Sequence, residues 1–335
     1  MKVCIYGAGA IGGCLAVPLA QAGLDVSVVA RGPHLEAMRA QGLTLLQEGG
    51  KRTAHVRATD RPGELGAQDM VIVTLKAHSI PAVVDGILDL LGEETAVVSA
   101  VNGIPWWYFH ALDSPWGERH VESVDPDGVL WRRVGPERAL GCVVYPAAEI
   151  VSPGVVRHTE GNKLVLGEPD GASSDRVRAL ATAFRDAGFK APVRPRVRDE
   201  IWMKLWGNLA FNPLSALTGA TLDVLATNED TRAIAKSMMD EGRAVGEAFG
   251  ARFSISVERR LAGVANVGAH RTSMLQDLDL GRPLEHEAML GAVQELATLA
   301  SIATPTIDLI HALLRQRIAS RDAGSISSPT PVPVA

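Results

Sequence analysis

The fold is decided by an N-terminal stretch, KVCIYGAGAIG, at residues 2–12. It begins with a short apolar run and continues with three glycines in the spacing GxGxxG. An apolar stretch with helical character follows at 14–20, and residues 26–30 (VSVVA) have the pattern of a second strand. A strand, a glycine-rich turn, a helix and a strand within about thirty residues are typical of a dinucleotide-binding βαβ unit.

Each glycine of this motif has a specific physical task. Gly7 permits a tight turn, Gly9 lets the backbone approach a pyrophosphate, and Gly12 allows close contact between helix and strand. The N-terminus of the helix adds unpaired N–H groups and the positive end of its dipole. In a chain with 33 glycines an ordinary glycine-rich turn is the alternative, but the flanking segments favour cofactor binding. The predicted phosphate-binding residues are Gly7, Ala8, Gly9, Ala10, Ile11 and Gly12.

The residue at the end of the second strand indicates which cofactor is used. NAD-binding units place an Asp or Glu there for the ribose 2′-hydroxyl, whereas this chain has Arg31. A guanidinium suits a 2′-phosphate because charge-assisted hydrogen bonds to phosphate are strong and often bidentate. We therefore expect NADPH as the cofactor, with a solvated surface arginine as the alternative.

Two further apolar runs end in polar residues. Residues 69–75 lead to Lys76, and residues 94–101 lead to Asn102. Strands that alternate with helical stretches predict a parallel, doubly wound sheet, whose ligands bind at the carboxyl ends of its strands. A solvent-facing lysine and an Asn-Gly turn are the plain alternatives. Their shared position at one edge favours a role in binding.

Residues 104–135 hold six aromatic side chains and several prolines and glycines. A segment of this length inside a compact domain is typically a lid or a binding loop. Its aromatic density argues against disorder. Two interpretations carry equal weight. One is a lid over the substrate, and the other is a satellite hydrophobic cluster or a subunit contact.

Composition excludes several classes of function. The chain has 335 residues, 47% of them hydrophobic, and a net charge of -5, so a nucleic-acid partner is not expected. Three widely spaced cysteines suit a reducing compartment, and no apolar run long enough to span a membrane is present, so we expect a cytoplasmic protein. The predicted domains are 1–194 (dinucleotide binding, with the insert 104–135), 195–323 (helical) and a disordered tail, 324–335.

A helical stretch in the second domain carries polar residues in a row. Lys204, Asn208 and Asn212 are four residues apart and therefore share one helix face, and Pro213 is expected to end the helix. Its other faces are apolar, so these polar groups are costly to bury unless paired, and they are expected to line a wet cleft. A hydrogen-bond ladder between helices is the alternative.

A second polar cluster follows at 271–285. Ser273 is a candidate substrate contact or a helix cap, and Glu285 is placed in the first turn of a helix that runs to about residue 301. His286 lies between two glutamates, but no third ligand occurs at metal spacing nearby, so no metal site is expected.

Taken together, these residues resemble the ketopantoate reductase (2-dehydropantoate 2-reductase) family. The resemblance covers nearly the whole chain. It rests on residues 7–12, Arg31, 74–76, 102–103, 204–205 with Asn208 and 212–214, and 272–277 with 281–283 and Glu285. It implies an N-terminal Rossmann domain, an all-helical C-terminal domain and an active site in the cleft between them. It also implies NADPH-dependent reduction of ketopantoate to pantoate, a step towards pantothenate and coenzyme A.

The resemblance also implies roles for individual residues. Lys204 matches the general acid, Glu285 a carboxylate that positions substrate and charge, and Lys76 a residue near the cofactor. The implied substrate contacts are Asn102 (also beside the nicotinamide), Asn208, Asn212 and Ser273.

The chemistry of hydride transfer agrees with these roles, because the developing alkoxide needs a proton and a positive neighbour. Two alternatives stay open: an NADP-dependent reductase of another 2-keto acid, and a non-enzymatic NADP-binding sensor. The partner is a small-molecule 2-keto acid. The oligomeric state is open, with a homodimer as one option.

Overall fold

The computed structural model describes residues 1–326, which fold into two compact units, Met1–Ile201 and a second that begins at Trp202. The strands all belong to the first unit: β1 (Lys2–Tyr6), β2 (Asp25–Val29), β3 (Leu43–Gln47), β4 (Gly50–Ala54), β5 (Arg57–Thr59), β6 (Gln68–Val73), β7 (Leu91–Ser99), β8 (Ala139–Val144), β9 (Ala147–Ser152), β10 (Val155–Glu160) and β11 (Leu164–Gly167). Its helices are α1 (Ala10–Gln21), α2 (Gly32–Gln41), α3 (Val84–Leu88), α4 (Val129–Arg133) and α5 (Asp175–Asp186).

Seven strands form the main sheet of the first unit in the order β11-β8-β7-β6-β1-β2-β5. All neighbours are parallel except β8 and β11, which are antiparallel. The chain reverses its direction of travel across the sheet between β1 and β6, which makes that position the switch point where such sheets bind ligands. The predicted parallel, doubly wound sheet is confirmed.

A smaller sheet of four strands, in the order β4-β3-β10-β9, lies on one side of α1. Helix α1 packs against β3, β9 and β10 of this sheet and against β2 of the main sheet. It is therefore buried on nearly every side from Gly12 to Leu19, which explains why its sequence is apolar all round. A Cβ on Gly13 would meet Val156 at 2.7 Å, so a glycine permits this close approach. The helix passes through Pro18 and reaches Gln21.

The aromatic insert 104–135 is mostly irregular but tightly packed. Trp106, Trp107, Tyr108 and Phe109 are each at most 3% exposed, as a hydrophobic cluster requires. The buried Asp125 carboxylate accepts hydrogen bonds from the backbone N–H groups of Leu130 and Trp131, both at 2.8 Å, and so fixes the start of α4. These contacts support the interpretation of the insert as a hydrophobic cluster within the first unit.

Arg198 ties this cluster to the rest of the first unit. Its guanidinium donates hydrogen bonds to three backbone carbonyls, those of Tyr108 (2.9 Å), Pro169 (2.5 Å) and His110. It also lies over the rings of Trp107 and Tyr108, 5.5 and 5.7 Å from their centroids. Burial lowers the pKa of this guanidinium, which reflects the cost of removing a charge from water.

The second unit is helical throughout its described part, as predicted. Helix α6 (Val197–Thr218) leads into it from the first unit. The remaining elements are α7 (Leu222–Thr227), α8 (Glu229–Ala248), α9 (Val257–Ala265), α10 (Ser273–Asp279), a π-helical turn (Glu287–Gly291), α11 (Ala292–Ala300) and α12 (Pro305–Ile326). Side-chain caps from Asn228, Ser256 and Thr272 begin α8, α9 and α10.

The prediction that Pro213 ends its helix is wrong, because α6 continues to Thr218. A proline inside a helix removes one backbone hydrogen bond and crowds the carbonyl four residues earlier. Here the residues on both sides are buried, Leu209 at 0% and Leu214 at 3% exposed, and Trp206 donates its indole N–H to the Met239 carbonyl at 2.6 Å. This packing stabilises the helix more than the proline destabilises it.

The observed limits of the units differ from the predicted domain ranges. The division falls at Ile201, inside α6, whereas the domain boundary was placed at 194, before that helix. The predicted tail 324–335 begins inside α12, which extends to Ile326, and its residues 327–335 lie outside the described residues. Within 1–326, no helix is long and apolar enough to cross a membrane.

We predict that Arg198→Met lowers the free energy of unfolding by about 3 kcal/mol or more, because three carbonyls lose a charged donor. Arg196→Met is the matched control, since the exposed Arg196 forms a salt bridge with Asp199, 2.7 Å long, near the surface, and its loss is expected to cost less than about 1 kcal/mol. Urea unfolding followed by tryptophan fluorescence gives both values. Equal losses of unfolding free energy in the two variants would contradict the structural role given to Arg198.

Candidate active site

The glycine-rich turn joins β1 to α1 at the switch point of the main sheet. Gly7 has a φ of +100°, a conformation that side chains rarely adopt. The N–H groups of Gly7 and Ala8 both donate to the Val29 carbonyl, at 3.0 and 3.1 Å, and thereby attach the turn to the end of β2. From the neighbouring strand end, the Thr74 hydroxyl donates to the Gly7 carbonyl at 2.6 Å. The turn is therefore held from both sides.

The other two glycines of the motif differ in their surroundings. A Cβ on Gly12 would collide with the Gly7 carbonyl oxygen and meet the Thr74 hydroxyl at 2.7 Å. A Cβ on Gly9 would meet nothing within 4 Å, so the protein itself does not require a glycine there. This open space lies directly before the first N–H groups of α1, where a phosphate group would approach the backbone.

His34 is a contact of this turn that the sequence analysis missed. Its Nε2 lies 2.8 Å from the Ala8 carbonyl oxygen, and its Nδ1 accepts the Gly154 N–H at 2.8 Å. These partners require a neutral ring with its proton on Nε2. Burial lowers the pKa of His34, which favours that neutral form. The histidine links the glycine-rich turn to the β9–β10 turn of the small sheet.

Arg31 lies two residues beyond β2 and directly before the first residue of α2. Its side chain is exposed, and none of the residues 1–326 forms a hydrogen bond or ion pair with it. An exposed guanidinium that follows the strand next to the glycine-rich turn, at a position without an acidic residue, is suited to a phosphate ligand.

Lys76 and Asn102 lie at the same edge of the sheet as the glycine turn. The strands β1, β6 and β7 run side by side in parallel, and Tyr6, Val73 and Ser99 are in register at their ends. Lys76 and Asn102 each follow three residues later, and both are half-buried. The structure therefore brings the predicted cofactor-side residues to one edge.

In the second unit, Lys204, Asn208 and Asn212 all lie on α6, at the predicted spacing of one helical turn. Lys204 and Asn208 are half-buried, and Asn212 is 5% exposed. The Asn212 amide nitrogen lies 3.8 Å from the sulfur of Met289 in the π-helical turn.

The two remaining predicted residues need a correction of detail. Ser273 is exposed at the first position of α10, and the helix cap is its neighbour Thr272, whose hydroxyl accepts the Leu275 N–H at 3.2 Å. Glu285 does not lie in the first helical turn, because the first helical residue is His286. The half-buried Glu285 immediately precedes it.

Next to Glu285, three metal-ligating side chains lie close together. They are His286, Glu287 and His311, the last of these from α12. Burial, together with the charge of Arg315, lowers the pKa of His311 to about 3, so this fully buried ring is neutral. The sequence does not reveal this grouping, because His311 is 25 residues from its partner His286.

A doubly wound sheet with a GxGxxG turn at its switch point, followed by a helical unit, defines a dinucleotide-binding protein of the oxidoreductase class. The sequence profile described as Ketopantoate reductase PanE/ApbA matches residues 3–171, and the profile of the C-terminal part of that family matches residues 196–318. The chain belongs to the ketopantoate reductase family.

Individual relatives are similar to this chain along almost its full length. A 2-dehydropantoate 2-reductase of Mesorhizobium japonicum is 53% identical over 96% of this chain and 99% of its own. The crystal structure of a candidate ketopantoate reductase from Ralstonia solanacearum is 40% identical, with a TM-score of 0.92, and covers 96% of this chain and 98% of its own. The crystal structure of a 2-dehydropantoate 2-reductase from Geobacter metallireducens is 27% identical, with a TM-score of 0.83. It covers 94% of this chain and 99% of its own.

The contrast between Gly9 and Gly12 gives a direct test of the turn. Gly9→Ala is expected to leave the midpoint of thermal unfolding nearly unchanged and to weaken dinucleotide binding at least tenfold, because only the ligand needs the space. Gly12→Ala is expected to lower both the midpoint of thermal unfolding and the affinity for the dinucleotide, because the new methyl group collides with the turn itself. Calorimetric titration and thermal unfolding measure the two effects. Undiminished cofactor affinity in Gly9→Ala would mean that the phosphates of the cofactor do not bind at this turn.

Proposed function

We propose that this protein catalyses the NADPH-dependent reduction of 2-dehydropantoate (ketopantoate) to pantoate. The observation that carries the proposal is the 53% identity, over nearly the whole of both chains, with a 2-dehydropantoate 2-reductase. Most of the residues expected to perform the chemistry lie in two groups, one at the ligand edge of the sheet and the other on α6. Glu285 and Ser273 lie outside both groups, later in the second unit.

The first unit suits a nicotinamide dinucleotide. The turn at 7–12 offers the N–H groups of a helix N-terminus and open space at Gly9 for a pyrophosphate. Arg31 would bind a 2′-phosphate, which distinguishes NADPH from NADH. Lys76 and Asn102, at the ends of β6 and β7, would contact the cofactor farther along the same edge.

When bound, the reduced nicotinamide supplies a hydride to the keto carbon of the substrate. Negative charge then develops on the carbonyl oxygen. The Lys204 ammonium stabilises this charge and donates a proton to the oxygen, which completes the alcohol. Asn208 and Asn212 follow Lys204 along α6 and donate amide hydrogen bonds to substrate oxygens without adding charge.

Glu285 and Ser273 complete the proposed substrate site. Glu285 would orient Lys204 and the substrate hydroxyl group, and Ser273 would bind a substrate oxygen. A small-molecule 2-keto acid is the partner of this site. A homodimer stays a prediction, as does a cytoplasmic location.

The experiment that tests the proposal is NADPH oxidation by the purified protein against a panel of 2-keto acids. Ketopantoate is expected to give the highest kcat/KM. A higher value for another 2-keto acid would assign a different substrate to the same chemistry. NADPH binding without turnover of any keto acid would instead favour a sensor.

We predict that Arg31→Ala weakens NADPH binding about tenfold or more, because a charge-assisted phosphate contact is lost. NADH binding is expected to stay the same, since NADH has no 2′-phosphate. Arg178→Ala, which removes an exposed arginine of α5, serves as the control, because α5 follows the antiparallel strand β11 and not a strand end at the ligand edge. Equal affinities of the native protein for NADH and NADPH would contradict the assignment.

Lys204→Ala is expected to lower kcat by about 10²–10⁴-fold, the usual effect of a positioned general acid, with NADPH affinity nearly unchanged. Glu285→Ala is expected to spare NADPH binding while it impairs kcat, substrate KM or both. Steady-state kinetics and cofactor titration separate these quantities. Loss of NADPH binding with near-normal kcat at saturating cofactor in Lys204→Ala would reverse the assigned role.

A further inference from the structure

The side chains of His286, Glu287 and His311 present three donor atoms to one another at short range. His286 Nδ1 lies 2.8 Å from His311 Nε2 and 3.3 Å from Glu287 Oε1. The third side of this triangle, from His311 Nε2 to Glu287 Oε1, is 3.7 Å. Donor atoms bound at about 2.0–2.1 Å to one tetrahedral ion are about 3.3 Å apart, which is close to the mean of these distances.

Hydrogen bonds on the far side of His311 fix its proton. The Gln294 amide nitrogen lies 2.6 Å from the Asp308 carboxylate, which only accepts, so the Gln294 oxygen must face the other way. That oxygen lies 2.5 Å from His311 Nδ1, and this contact, shorter than the 3.1 Å from the same nitrogen to the Arg315 guanidinium, assigns the ring proton to Nδ1. Nε2 is left with a lone pair directed at His286 and Glu287. Metal-binding histidines are held in the same manner, with the second nitrogen bonded to an outer partner.

The backbone around these residues is also unusual. Glu287 begins a π-helical turn that ends at Gly291, and such turns are rare and frequently occur at functional sites. The Glu287 carboxylate occupies the space over Gly291, where a Cβ would collide with it. The π-helical turn and the glycine therefore both position this carboxylate beside the two histidines.

We propose that His286, Glu287 and His311 form a binding site for a divalent transition metal of the zinc class. Two imidazole nitrogens and one carboxylate oxygen are a known zinc ligand set, and water would occupy the fourth position. The metal joins the segment that follows Glu285 to α12. Arg315, whose guanidinium lies 3.1 Å from Nδ1 of His311, is on the side of the ring away from the site. This inference does not depend on the reaction proposed above.

The test uses untagged, full-length protein that has been stripped with a chelator and desalted. Zn²⁺ titrated into the native protein is expected to bind at about one ion per chain and to raise the midpoint of thermal unfolding. Co²⁺ in its place is expected to give the visible absorption of a tetrahedral ion. The thiols of Cys4 and Cys14 do not compete, because burial raises the pKa of each to about 12.

Variants locate the ion. His286→Gln and Glu287→Gln are expected to lower the affinity for Zn²⁺ more than 100-fold, and Gln294→Leu about 10–100-fold through the loss of its support of His311. His120→Gln is the matched control, since it removes another histidine–glutamate pair, 2.9 Å apart, and is expected to change nothing. In the described part of the chain, no second group of three such side chains is found.

Three results would overturn the proposal. They are no Zn²⁺ binding by the native protein, affinity unchanged in both His286→Gln and Glu287→Gln, and affinity lost in His120→Gln. Circular dichroism of each variant verifies folding, and a native titration with Co²⁺ that gives no tetrahedral spectrum would count against the site without any variant.

Discussion

The hydrogen bond from the Thr74 hydroxyl to the Gly7 carbonyl, 2.6 Å long, joins the glycine-rich turn to the strand on the other side of the switch point. It requires that Gly12 have no side chain, because a methyl group there would occupy the same space. The absence of a side chain at Gly12 thereby allows α1 to approach the ends of β1 and β6 closely. The position of the first N–H groups of α1 follows in turn, and the proposed binding of a dinucleotide at this edge depends on it.

The large sheet was predictable because its signals are local. Buried parallel strands appear as continuous apolar runs, and the GxGxxG turn marks where the first one ends. The small sheet was not predictable from such signals. Its central pair joins Thr44 to Val155, 111 residues later in the chain, and β4 and β9 are too polar and exposed to stand out. Contacts at that separation depend on the position of α1 between the two sheets.

The candidate site residues also fall into a group that the local sequence predicts and a group that it does not. Lys204, Asn208 and Asn212 share a helix, so their spacing alone predicts their common face. Lys76, Asn102 and Arg31 follow strand ends, and the register of a parallel sheet brings strand ends to one edge. The contacts of His34, Arg198 and His311 are different, because each depends on a partner that the fold supplies from a distant segment. No pattern in the neighbouring sequence points to those partners, and Pro213 shows that packing can override a strong local signal.

The central claim is that a hydride from NADPH reduces the keto carbon of ketopantoate on this protein. The most direct measurement supplies NADPH carrying deuterium at the transferable position of the nicotinamide and analyses the product by mass spectrometry. The account predicts pantoate that contains one deuterium at the new alcohol carbon, formed in equal amount to the NADPH consumed. Ketopantoate recovered unchanged at saturating NADPH, or pantoate without deuterium, would contradict it.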